Sequence, residues 1–176
     1  MIKRLPYLLL PILLISCVRE NNNFQTGRQQ AYVPVYISAA TGSEIKIESP
    51  RPTEAAGKIY VFGNYLFQND INNGIHIINA ADRANPRKIA FIKIPLSTEV
   101  AVKGNFLYSN NLADLVTLDI SNPVVPVLVN RTKDVFPLSN QQYPPFNNVS
   151  FECADPGKGI VAKWELKTVD NPKCRR

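Results

Sequence analysis

The chain is predicted to be all-β with at most short helices: two four-stranded, propeller-blade-like repeats plus flanking covering segments, forming an incomplete propeller. Three observations predict it. First, Gly63-Asn64-Tyr65-Leu66-Phe67 recurs as Gly104-Asn105-Phe106-Leu107-Tyr108, 41 positions later. Ile75-His76-Ile77-Ile78-Asn79 then matches Leu115-Val116-Thr117-Leu118-Asp119 at an offset of 40, as Pro86 matches Pro126, so one single-residue indel reconciles the copies. A period of about 40 residues marks a repeat of supersecondary size, and four strands per unit is the propeller-blade solution. Second, each copy reads as four short strands, over 58–62, 65–69, 74–79 and 87–94 and then 99–103, 106–109, 114–120 and 125–131. Third, Gly-Asn separates the first two strands of each copy, a two-residue hairpin turn whose residues both tolerate positive φ.

Taken in order, residues 1–16 are expected to be a lipoprotein signal peptide. Lys3 and Arg4 precede an apolar stretch over 5–15 that Pro6 and Pro11 interrupt. It is shorter than the ~20 residues a membrane-spanning helix needs, and it ends at small Ser16. Leu14-Ile15-Ser16-Cys17 resembles a lipobox, which makes Cys17 the expected lipidation site, and two or more acyl chains give stable membrane attachment. Residues 17–31 are polar without an apolar period and read as a flexible tether, so folding is expected to begin near Tyr32. Val33 to Ile37 looks extended, residues 38–43 open a short helix, and Glu44-Ile45-Lys46-Ile47-Glu48 alternates with period two.

A single β-repeat domain is then expected over 32–176, with repeats at about 57–95 and 96–136 and a C-terminal covering segment over 137–176. Ile59-Tyr60-Val61-Phe62 and Val127-Leu128-Val129 are apolar without alternation, the pattern of strands covered on both faces. In 160–167 an alternation points Ile160, Ala162, Trp164 and Leu166 one way, as if to cover an open blade face. The Pro- and aromatic-rich stretch 136–151 reads as a loop folded back over the same blades. Cys153 and Cys174 are expected to form a disulfide in an exported, oxidising setting, closing a loop of about 20 residues for roughly 3 kcal/mol.

Charge and chemistry exclude more than they offer. Removal of residues 1–16 lowers the basic residues from 20 to 18 against 14 acidic ones. The cations are scattered, so no nucleic-acid stripe is predicted. His76, the single histidine, sits at an apolar strand position that Val116 fills in the second copy, which indicates a structural role. Neither a nucleophile elbow nor a phosphate-cradling loop is present. Asp70-Ile71-Asn72-Asn73-Gly74 lacks the spacing of a calcium loop and reads as a hairpin turn. No catalytic residue, cofactor or metal ligand is nominated, and an enzyme is not expected.

Gly-Ile-His-Ile-Ile-Asn (74–79) and Asp-Leu-Val-Thr-Leu-Asp (114–119), followed by Asn85-Pro86 and Ser121-Asn122-Pro123, resemble LVIVD repeats of bacterial and archaeal surface proteins. The wider pattern over residues 32–176 resembles uncharacterised Bacteroidetes-type lipoproteins. Asn79 stands where the motif has aspartate, and two repeats fall short of the four or more blades of a closed propeller. The resemblance implies a propeller-like fold and a surface location, and it brings no catalytic residues with it. The expected function is therefore a non-enzymatic binding or interaction module, lipid-anchored to the outer membrane and facing the periplasm or cell surface. Its expected partners are the membrane and either another protein or a second copy. The alternative is a carbohydrate-binding accessory lipoprotein, marked by exposed aromatics among Tyr143, Phe146 and Trp164.

Overall fold

A computed structural model of the chain describes residues 27–137 and 142–176. It opens with strand β1 (Arg28–Ile37) and the one-turn helix α1 (Ala39–Ser43), whose N-terminus is capped where Ser38 Oγ accepts from the Thr41 amide at 3.0 Å. The first repeat follows as β2 (Lys46–Glu48), β3 (Ala56–Phe62), β4 (Tyr65–Asp70), β5 (Gly74–Asn79) and β6 (Arg87–Lys93). The second comprises β7 (Val100–Lys103), β8 (Phe106–Asn111), β9 (Asp114–Asp119) and β10 (Val127–Thr132). The chain ends in β11 (Ser150–Phe151), β12 (Ile160–Asp170) and β13 (Cys174–Arg175).

These strands make three sheets, in the orders β2-β6-β5-β4-β3, β10-β9-β8-β7 and β12-β1-β11-β13. The first two are the expected antiparallel blades, and their strands fall within a few residues of the predicted ones. β2 adds a fifth strand to the first blade by pairing antiparallel with β6. The hairpin turns use one positive φ and not two. Gly63 and Gly104 each have φ 57°, while neither following Asn is among the positive-φ residues.

Further turns repeat as well. Asn79 Oδ1 accepts from the Ala81 amide at 2.9 Å, and Asp119 Oδ1 accepts from the Ser121 amide at 2.8 Å. Asn79 thus supplies the same side-chain oxygen as the aspartate it replaces, since an Asx turn needs an acceptor and not a charge. A second pair follows, with Asp82 accepting from the Ala84 amide and Asn122 from the Val124 amide.

The core lies between the blades. Phe67, Ile75, Ile77, Ala90 and Ile92 share one face of the first blade by strand register and cluster with Val100, Val102, Leu107, Val116 and Leu118 of the second. These are the near faces of the two blades. Burying each of the larger side chains among them contributes about 1.5–3 kcal/mol.

Three expectations are corrected. β1 starts at Arg28, four residues inside the expected tether, because Arg28 to Ala31 pair by backbone with Asp170 to Lys167 and need no apolar period to do so. The segment at the C-terminus does not cover a blade face. It pairs with β1 into the third sheet, where Val161 is buried while Leu166 is exposed. Nor are the non-alternating strands covered on both faces: Ile59 and Val61 are 56% and 65% exposed, and Val127 and Val129 are 56% and 51% exposed. The physical reason is that among the described residues no further blade stacks on them.

Candidate functional site

Each blade turns one face to its neighbour and one away. The far face of the first blade carries Ile59, Val61, Leu66, Gln68, His76 and Ile78, aligned by register across β3, β4 and β5. The corresponding face of the second carries Ala101, Phe106, Tyr108, Leu115 and Thr117, with Val127 beside Asp119 on β10. Phe106 is 41% exposed, so both far faces present apolar side chains to solvent. β4 to β6 and β8 to β9 hold these residues rigidly. The exposed positions therefore form surfaces set by sheet register.

The outer part of the first far face is closed by a polar anchor. Asp70 is fully buried and accepts from the amides of Ala55 (2.7 Å) and Glu54 (3.1 Å), from Asn73 Nδ2 (3.3 Å) and from His76 Nε2 (3.2 Å). Burial works to raise the Asp70 pKa, but these donors together outweigh it and hold the carboxyl below its ordinary value. His76 is held below the ordinary imidazole value, first by burial and next by the Lys88 charge, against the opposing pull of Asp70. The ring is therefore neutral, with Nε2 donating to Asp70 and Nδ1 without a hydrogen-bond partner. It packs on Phe91 with centroids 4.8 Å apart, and the Arg51 guanidinium lies over the same phenyl ring, 4.8 Å from its centroid. With the carboxylate oxygens committed to pinning residues 54 and 55, the pair braces the fold.

In the second blade, a different set of residues anchors the N-terminal segment. Arg131 donates to Asn111 Oδ1 (2.8 Å), Asp114 Oδ2 (2.9 Å) and the Ser43 carbonyl (2.7 Å), while Asn111 Nδ2 donates to the Gly42 carbonyl (2.8 Å). Burial works to raise the Asp114 pKa, and the Arg131 and Asp134 donors more than reverse it. Neither anchor was identified from sequence. The available signal was a polar pair, Asn69-Asp70 and Asn110-Asn111, closing the second strand of each repeat.

The third sheet carries the aromatic loop. Tyr143 and Phe151 meet edge-on at 6.1 Å, Phe151 and Trp164 at 5.5 Å, and Phe146 lies 5.7 Å from Tyr32. The loop thus packs on the third sheet and not on a blade face. Trp164 is half-buried, whereas Tyr143 and Phe146 are exposed. A cleft of about 780 Å³ lies between this sheet and the turns of the blades, with Trp164 and Lys163 on one side and Glu99 and Asn110 on the other. Asn110 is already satisfied by the amides of Thr98 and Glu99 and the Leu96 carbonyl.

Cys153 and Cys174 stand at disulfide distance, with Cα atoms 5.3 Å apart, where β11 is followed and β13 begins. Cys17 and the signal segment lie outside the described residues. Among the described residues no helix is long and apolar enough to cross a membrane, and no cluster of three or more His, Cys, Asp or Glu is placed to hold a metal ion.

No curated protein and no solved structure matches the chain. The two stretches that build the blades, residues 55–89 and 97–134, match the family model of the LVIVD repeat, so this chain carries two segments similar to that repeat, one in each blade.

Proposed function

We propose that this chain is a membrane-anchored lipoprotein, of the type found on Bacteroidetes surfaces, that acts as a non-enzymatic interaction module. The observation that carries this reading is the exposure of apolar side chains on both far blade faces, Ile59 and Val61 on one and Phe106 and Val127 on the other. Contiguous exposed apolar surface on a rigid sheet marks an interaction site. Among the buried polar residues, Asp70, His76 and Asn111 are hydrogen-bonded within the fold. The lipid on Cys17 holds the module at the outer membrane, where attachment raises the local concentration of any partner in the same plane.

Affinity capture with the full chain from detergent-solubilised membranes tests this. A stoichiometric protein that is lost when Val61→Asp and Phe106→Asp are introduced supports the reading, and capture unaffected by both substitutions rejects it. A carbohydrate-binding accessory role draws on the exposure of Tyr143 and Phe146, flat rings on which a sugar stacks. A glycan-array signal that disappears with Phe146→Ala would select it over protein binding.

A further inference from the structure

We propose that two copies of this chain pair through their far blade faces into a closed ring of four blades. This rests on the interaction-module reading and names its partner as a second copy. Repeat equivalence carries the argument. At the offsets of 41 and then 40 residues, Ile59, Val61, Leu66 and Ile78 on the first far face correspond to Val100, Val102, Leu107 and Leu118. Those four residues of the second blade are buried because the first blade lies on them. Ile59 and Val61 occupy the same places on the first blade and stand exposed.

The converse also holds. Tyr65, Phe67, Ile75 and Ile77, which the first blade lays on the second, correspond to Phe106, Tyr108, Leu115 and Thr117 on the second far face. The surface with which a blade lies on its successor is thus presented again by the second blade, and the surface that receives it is presented by the first. Seating the second far face of one copy on the part of the first far face that the Asp70–His76 anchor leaves open, around Ile59 and Val61, repeats at those positions the packing already built inside each chain. Two copies do this twice, related by a two-fold axis, and give four blades, the smallest ring that propellers commonly close.

Charge follows the same pattern. Lys58 and Glu99 are equivalent positions, 41 residues apart, and they form an ion pair across the blade interface. Repeating the step places Glu99 of one copy against Lys58 of the second. Lys58 and Glu99 of the two copies then alternate around the axis, and like charges never meet at successive positions.

The mass of the full chain in detergent, by light scattering with the detergent contribution subtracted, tests the ring. Two chains per particle are expected. Val61→Asp and Phe106→Asp should each raise the dissociation constant about tenfold or more, since each removes an apolar contact from both interfaces of the pair. Mixing the two variants should recover a two-chain species, because one of its interfaces is then intact on both sides. Glu99→Lys should weaken pairing, and adding Lys58→Glu should restore it. Both apolar positions are exposed in the single chain, and an unchanged thermal melt in dilute solution checks that the variants fold. A one-chain or three-chain mass overturns the ring, as does a pair that tolerates Phe106→Asp and breaks only with Val61→Asp. A one-chain particle that still captures another protein through the blade faces removes the self-pairing and leaves the interaction-module reading standing.

Discussion

At the scale of single residues, the buried pair Asp70 and His76 couples folding to pH. The Asp70 carboxyl is held below its ordinary 3.8, so its stabilisation is complete above that value and is lost as pH falls through the lower folded-state value. The His76 imidazole is held below 6.5. As pH drops under 6.5 the unfolded chain takes up this proton first, and stability falls until the folded ring also titrates. The melting temperature should therefore decline from pH 7.5 to 4.5, and His76→Val, which installs the residue of the second repeat, should flatten that decline. Identical slopes for the two proteins would contradict the assignment. Glycines separate by local geometry. An added Cβ on Gly74, at φ 150°, runs into the Ile92 carbonyl, whereas one on Gly63, at φ 57°, meets nothing within 4 Å. Gly74→Ala should cost about 3 kcal/mol and Gly63→Ala about 1 kcal/mol in urea titrations, and equal costs would exclude the collision. The first of these constraints was invisible in sequence, because Gly74 and its equivalent Asp114 look like ordinary turn residues until β6 is laid beside β5.

Elements are joined to one another by a few polar clamps. Arg131 ties β10 to the second-blade turn and to the end of α1. Arg131→Met should cost roughly 2 kcal/mol, the scale of hydrogen bonds to a charged group, and should speed amide exchange around Gly42. Exchange left unchanged there would show that α1 is held without Arg131, by the Asn111 hydrogen bond to the Gly42 carbonyl and by Ile37 and Leu112 beside Gly42. The third sheet depends on a different link. Reducing the Cys153–Cys174 pair should lower stability by about 3 kcal/mol and shift the emission of Trp164, the single tryptophan, which reports this sheet through its contact with Phe151. A urea midpoint that does not move on reduction would contradict this. Strand positions within the blades were legible because hairpin pairing is local, and the Gly-Asn turns set register within about 15 residues. Pairing of β1 with β12 spans the chain, and no local pattern records it.

At the scale of the whole molecule, the described residues form two blades sharing one core, with a third sheet at their turns and apolar side chains exposed on both far faces. Attachment belongs to this scale. Cys17→Ser should move the protein from the membrane to the soluble fraction, and retention in the membrane would remove the proposed anchor. The repeat of about 40 residues determined by itself the all-β class, the two blades and the four strands that recur in each, though not the fifth strand β2, because repeated apolar segments separated by Gly, Asn and Pro turns dictate local hairpins. Outside the repeat, the lipobox-like segment marked Cys17, and the exported setting marked the pairing of Cys153 with Cys174, as expectations. Only the tertiary structure decided which face of each blade is buried, that the two ends of the domain pair with one another, and that Ile59, Val61, Phe106 and Val127 remain exposed. The reason is that an apolar strand reads the same whether or not another sheet lies on it. Burial is a property of neighbours, and these are brought together by contacts between residues far apart in the chain.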